Sequence, residues 1–276
     1  MAVSLGEAAA QWASSRWIQV GRRRIRYREA GSGDPLVLVH GLGVSADYWT
    51  RNGPTIAAAG FRVLAPDLPG FGRTDGPDDG LEIGEQAAAI RDWAAALGLP
   101  PAVYLGHSLS CQSVLELAVA HAERVRGLVL VAPTGEGASR RRLLRQAIGF
   151  VRDIHRESLP LAAVVLQAYL RAGPRRVLRT WWLGATHDPL PLLPRVTVPV
   201  LVVVAERDPV VDPEFAERMV AALRQGRLQL IPGGSHAVIF EPTGAFNRAV
   251  VDFLSSLSGA HFASHGEAAG DDATEP

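Results

Sequence analysis

Five short apolar runs, each followed within two residues by glycine, proline or a charged residue, limit what this chain can fold into. They are Pro35–Val39, Arg62–Ala65, Val103–Leu105, Gly127–Val131 and Val200–Val204. Runs without polar alternation suit strands covered on both faces, the situation of a parallel sheet. Segments with helical spacing lie between and after them, at about Ala46–Ala59, Ile83–Leu97, Ser110–His121 and Pro213–Leu223. A strand at Leu228–Ile231 and a helix at Thr243–Leu257 close the series. Upstream, Trp17–Val20 and Arg24–Glu29 flank Gly21 and read as a hairpin. The expected fold class is α/β, a mostly parallel central sheet of about eight strands with helices on both faces.

The rhythm breaks between Thr134 and Pro194, where helical pattern continues but no strand-like run occurs. We expect a helical cap over 134–194, inserted after the fifth core strand and lying over the sheet's C-terminal edge, where open α/β sheets bind ligands. The core is then 1–133 with 195–257. The small, polar residues 258–276, ending in GDDATEP, read as a disordered tail. At 276 residues and 47% apolar composition the chain can bury a core without staples. One cysteine excludes an internal disulfide and fits a reducing, cytoplasmic compartment. The opening MAVSLGEAAAQW has neither the basic nor the apolar region of a secretory leader. No apolar run approaches the length of a membrane span. With 28 basic and 28 acidic residues, no global field favours nucleic acid or a membrane as partner.

The chemistry centres on Leu105-Gly106-His107-Ser108-Leu109-Ser110-Cys111-Gln112-Ser113, which holds four possible nucleophiles. A serine attacks only when a base takes its proton and a third group orients that base. It must also project from a sharp strand-to-helix turn, with small residues two before and two after it. Ser108 meets the placement, flanked by Gly106 and by Ser110 where the G-x-S-x-G pattern has its second glycine. Ser110, Cys111 and Ser113 fall in the first helical turn, where packing and capping are their ordinary roles. Asp208 follows a strand within Ala205–Pro213, and His236 follows the last strand in the loop Pro232-Gly233-Gly234-Ser235-His236. Ser, Asp, His in that order, each after a strand, supplies nucleophile, orienting acid and base. An oxyanion needs backbone N–H donors, and those of Leu109 and of Leu42, in the turn His40-Gly41-Leu42-Gly43, are placed for it.

Jointly, VHGLG (39–43), APDLPGFGRTD (65–75), LGHSLS (105–110), AERDPVVDP (205–213) and PGGSHAVIFEP (232–242) resemble the α/β-hydrolase superfamily, in its capped esterase and carbon–carbon hydrolase branch. The resemblance covers about Trp17 to Leu257. It implies Ser108 as nucleophile, His236 as base, Asp208 as its acid, and the N–H groups of Leu42 and Leu109 as the oxyanion hole. Serine in the nucleophile slot speaks against the epoxide-hydrolase and haloalkane-dehalogenase relatives, which carry aspartate there. The expected activity is hydrolysis of a carboxylic ester or related acyl compound. The alternatives are carbon–carbon hydrolysis of a dienone, or a non-hydrolytic lyase, cyclase or ligand receptor on the same fold.

Asp67, in the loop after Arg62–Ala65, reads as structural. His40, Gly41 and His107 adjoin the site and are candidates for its walls, although packing and hydrogen bonding are the simpler roles of the two histidines. Trp181 and Trp182 are candidates for the pocket or the cap's own core, favouring a small-molecule substrate with an apolar portion. The cap carries ten arginines (140, 141, 142, 145, 152, 156, 171, 175, 176, 179) against four acids. Every basic residue of the chain is arginine, so solvated helix faces explain these better than recruitment of an anionic substrate. His121, His155, His187, His261 and His265 lack metal-ligand spacing, and no phosphate loop or dinucleotide fingerprint occurs. No cofactor or metal is expected, and the oligomeric state is read as monomer or homodimer.

Overall fold

The computed structural model describes residues 2–135, 139, 144, 148–149, 159–240 and 243–266, with the side chains of 159–164 and 259–266 excepted. Eight strands form one sheet: β1 (Arg16–Val20), β2 (Arg23–Ala30), β3 (Pro35–Val39), β4 (Arg62–Pro66), β5 (Ala102–His107), β6 (Val125–Val131), β7 (Val200–Ala205) and β8 (Gly226–Ile231). Their spatial order is β1-β2-β4-β3-β5-β6-β7-β8. The first two pairings, β1 with β2 and β2 with β4, are antiparallel, and all others are parallel.

The eight described α-helices are α1 (Leu5–Ala13), α2 (Gly53–Ala58), α3 (Ile83–Ala96), α4 (Ser110–Ala120), α5 (Leu159–Ala172), α6 (Pro174–Thr186), α7 (Pro213–Ala222) and α8 (Thr243–Gly266). Successive residues of each central strand enter opposite cores, the consequence of period-two side chains between two helical layers. Val37, Tyr104, Leu128 and Val202 pack with Ile90 and Trp93 of α3, Val114 of α4 and Phe215 of α7. Their neighbours Leu38, Leu105, Val129 and Val203 pack with Trp12 of α1, Ile56 of α2 and Phe246 and Val250 of α8.

The structure departs from the sequence expectation in four places. Helix α1 was not anticipated, although Ser4 and Glu7 form a capping box and Trp12 is buried. The single helix expected over Ala46–Ala59 is a 3-10 turn, Ala46–Trp49, followed by α2, whose first turn takes Pro54, where a missing N–H costs no helical bond. Helix α8 continues past Ser258 to Gly266, since no proline interrupts that alanine- and serine-rich stretch, and residues 267–276 lie outside the described part. Finally, the insertion follows β6, the sixth strand in chain order rather than the fifth, since the hairpin pair and the four strands Pro35–Val39 to Val125–Val131 all precede it. Of that insertion α5 and α6 are described. A 3-10 turn at Leu190–Arg195 returns the chain to the core, with Leu193 fully buried in it. Among the described residues no helix is long and apolar enough to cross a membrane.

Candidate active site

Ser108 sits between the end of β5 and the start of α4 with φ of +55°, a left-handed conformation that costs a non-glycine residue about 1–3 kcal/mol. The surroundings hold it there: its N–H donates to Val131 C=O at 2.8 Å, and its C=O accepts from Cys111 N–H at 3.1 Å. Gly106 is required by the same turn, since a Cβ there would lie 2.8 Å from both Cys111 N and Ser110 O.

Ser108 Oγ donates to His236 Nε2 at 3.0 Å, and His236 Nδ1–H donates to Asp208 Oδ2 at 2.9 Å. The second carboxylate oxygen of Asp208 accepts the N–H groups of Val210, at 2.8 Å, and Val211, at 3.1 Å. Burial by itself raises the Asp208 carboxyl. The charge and hydrogen bond of His236, with the two backbone N–H groups, outweigh that and hold it below the usual carboxylate range. An ionised Asp208 fixes the proton of His236 on Nδ1 and leaves Nε2 free to accept from serine. The loops carrying acid and histidine are also stitched together: Arg207 N–H donates to Gly234 C=O at 2.9 Å, and Gly233 N–H to the Glu206 carboxylate at 2.8 Å. Sequence reading passed over Glu206, whose role depends on a partner 27 residues away.

Leu42, Ser108 and Leu109 share the wall of one pocket with Thr134, Trp181, Gly184 and Ala185. Among the described residues the N–H groups of Leu42 and Leu109 donate to no carbonyl, so both are available beside the serine. Trp182, one residue on from Trp181, is half exposed and does not line this pocket. Neighbours on a helix point about 100° apart, so only one of the pair can face inward. Gly184 brings α6 directly over Leu109, the neighbour of Ser108, because a Cβ there would lie 2.4 Å from Leu109 Cδ1. Thr134, Gly184 and Ala185 were not anticipated, although Thr134 follows β6 at the ligand-binding edge. Every described lining residue is uncharged.

The two flanking histidines stand behind this wall. His40 is buried, accepts from Leu68 N–H at 3.0 Å and donates to Gly41 C=O at 2.9 Å. Burial pushes its pKa down. His107 Nε2–H donates to the backbone C=O of His236 at 3.0 Å, and burial with the neighbouring His236 pushes its pKa down to about 3. Gly41 packs on it: a Cβ at Gly41 would lie 3.1 Å from His107 Nδ1. Gln112, fully buried in the first turn of α4, donates from Nε2 to Thr134 C=O at 3.1 Å and to Gly184 C=O at 3.0 Å.

Three arginines of α6 are engaged with the segment 70–82 rather than with the pocket. Arg175 pairs with Asp79 at 2.7 Å and Arg179 with Glu82 at 3.3 Å. Arg176 donates to the carbonyls of Pro77 and Gly70, both at 2.9 Å, and of Gly76 at 3.3 Å. Arg171 is exposed on α5, and Arg140, Arg141, Arg142, Arg145, Arg152 and Arg156 lie outside the described residues. Asp67 holds structure: fully buried, it pairs with Arg26 at 3.1 Å and accepts the N–H groups of Ala46 and Arg73, both at 2.8 Å.

A family model described as the alpha/beta hydrolase family matches residues 36–249. The chain belongs to that family. Among curated relatives, this hydrolase is 27% identical to the 2-hydroxy-6-oxo-6-phenylhexa-2,4-dienoate hydrolase of Burkholderia cepacia, over 84% of this chain and 92% of that one. It is 29% identical to the 2-hydroxy-6-oxo-6-(2'-aminophenyl)hexa-2,4-dienoic acid hydrolase of Metapseudomonas resinovorans, over 87% and 90%. Among solved structures it superposes on a bromoperoxidase from Bacillus anthracis with a TM-score of 0.78 at 20% identity, over 88% of this chain and all of that one, a likeness of fold.

Proposed function

We propose that this member of the family is a serine hydrolase that cleaves an ester or related acyl compound with an apolar portion through an acyl-enzyme. The observation that carries the reading is the unbroken hydrogen-bonded line Ser108–His236–Asp208 beside two uncommitted backbone N–H groups. Ser108 Oγ attacks the carbonyl carbon while His236 Nε2 takes its proton, and Asp208 stabilises the resulting imidazolium. The N–H groups of Leu42 and Leu109 receive the oxyanion. Collapse breaks the bond to the leaving group, which departs with the proton from His236. Water, deprotonated by the same nitrogen, then attacks the acyl-Ser108, and a carboxylic acid leaves. The uncharged lining of the described pocket supports a neutral, apolar acyl group rather than a charged one.

A second reading is favoured by the names of the two curated relatives: hydrolysis of a carbon–carbon bond in a dienoate, with the same three residues. Two measurements separate the readings. A fluorophosphonate probe is expected to leave one adduct, on Ser108, and to leave none on Ser108→Ala. An adduct on Ser110 or Cys111, or activity surviving in Ser108→Ala, would sink both. Parallel assays with p-nitrophenyl esters and a 6-phenyl dienoate then decide the bond, and turnover of the dienoate with negligible ester cleavage would replace the first reading with the second.

A further inference from the structure

Ser110 occupies the position of the second glycine of the elbow pattern, is fully buried, and its hydroxyl is committed on both sides. It accepts the N–H of His107 at 2.8 Å and lies 2.8 Å from the C=O of Val39, with the C=O of His107 at 3.0 Å as a second acceptor. His107 ends β5 and Val39 ends β3, and these parallel strands run in register up to the pair Val39–Gly106. The hydroxyl therefore joins the two strand ends at the next step beyond the last register pair. Past this point the strands diverge into the segments that matter. Val39 leads through His40 and Gly41 to Leu42, and His107 leads to Ser108 and Leu109. The separation of the two free N–H groups is set from this junction.

We infer that Ser110 is a positioning residue: its hydroxyl fixes the gap between the Leu42 and Leu109 N–H donors, and with it the stabilisation of the oxyanion. This rests on the reading of Ser108 as nucleophile. A glycine has no group to supply the bridge, but leaves room for a water that can make the same bonds. Alanine fills the space with a methyl and leaves the His107 N–H and Val39 C=O without their partner. The chemical step thus ranks the variants Ser110, then glycine, then alanine. Helix propensity ranks the two variants the other way, because residue 110 opens α4 and alanine is a better helix former than glycine.

The test compares wild type, Ser110→Gly and Ser110→Ala, each matched for folded fraction by thermal melting. The readouts are kcat and KM on a p-nitrophenyl ester, and the second-order rate of fluorophosphonate labelling at Ser108, whose phosphoryl oxygen enters the same N–H pair. A displaced donor costs on the order of a hundredfold in the chemical step, so Ser110→Ala should lose about that much kcat and labelling rate with KM held within about twofold. Ser110→Gly should lose roughly three- to tenfold, a partial rescue through solvent. Wild-type kcat in either variant overturns the inference, as does a glycine variant impaired as much as the alanine one. Should Ser110→Ala fail to fold, the glycine variant decides alone by the same criterion. Failure of the wild type itself to label at Ser108 removes the nucleophile reading, a result distinct from equal labelling of all three proteins.

Discussion

Lowering the pH from 7 to 5 should weaken this fold by about 2 kcal/mol through His107 alone. His107 is almost wholly buried, and its pKa falls from the ordinary 6.5 to about 3. Between those two values the unfolded chain binds a proton that the folded chain refuses, so stability rises with pH across the window and falls on acidification. Integrated from pH 7 to pH 5, one such histidine contributes about 2 kcal/mol, and the effect levels off near pH 3. His40 adds a contribution of the same sign. Asp208 does not enter this window, because its lowered carboxyl pKa removes stability only at more acid pH, as it falls through the folded-state value. The contribution of His107 is isolated by His107→Gln, whose amide can still donate to His236 C=O but does not titrate. Urea unfolding of both proteins at pH 7 and pH 5 gives the difference of differences. Wild type should lose about 2 kcal/mol more than the variant. Equal losses would show that the folded chain protonates His107 as readily as the unfolded one, and the buried neutral imidazole behind His236 would be wrong.

Asp208→Asn should reduce kcat by roughly 10⁴-fold while leaving the fold intact, because the amide favours the wrong tautomer of His236; steady-state kinetics with a melting curve checks this. Asp67→Asn should cost about 3 kcal/mol in urea unfolding, since it strips the buried Arg26 of one of its two carboxylate partners, leaving only Asp47. Arg176→Ala should accelerate amide hydrogen exchange in Gly76–Glu82 and α6 by about thirtyfold, equivalent to about 2 kcal/mol, with little change in core strands. Uniform exchange throughout that variant would refute a clasp local to α6 and the loop 70–82.

What the sequence made legible was local. Continuous apolar runs mark strands covered on both sides, and the residues just past Leu105, Val204 and Ile231 carry the groups that meet in the structure. Gly106 was readable because only a residue without a Cβ fits two before the turn. The remainder depends on contacts between distant positions that leave no periodic trace. Arg176 and Gly70 are 106 residues apart, and Ser110 and Val39 are 71 apart. No pattern around Arg176 sets it apart from Arg175 or Arg179, because the difference lies in which carbonyls the folded loop presents. The Trp181-Trp182 pair shows the same limit at short range, since helical phase admits one ring and excludes the other. Helix α1 is a different kind of miss, for Ser4 and Glu7 announced its start in plain spacing.

Gln112 ties the first turn of α4 to two other elements at once. The helix turn that carries the Leu109 N–H also grips α6 at Gly184 and the exit of β6 at Thr134 through one buried amide. Any displacement of α6 from its place over Leu109 breaks a bond anchored in α4, the helix that follows Ser108. A segment exchanged for α6 would need to present a carbonyl to position 112, or this buried amide would lose a partner.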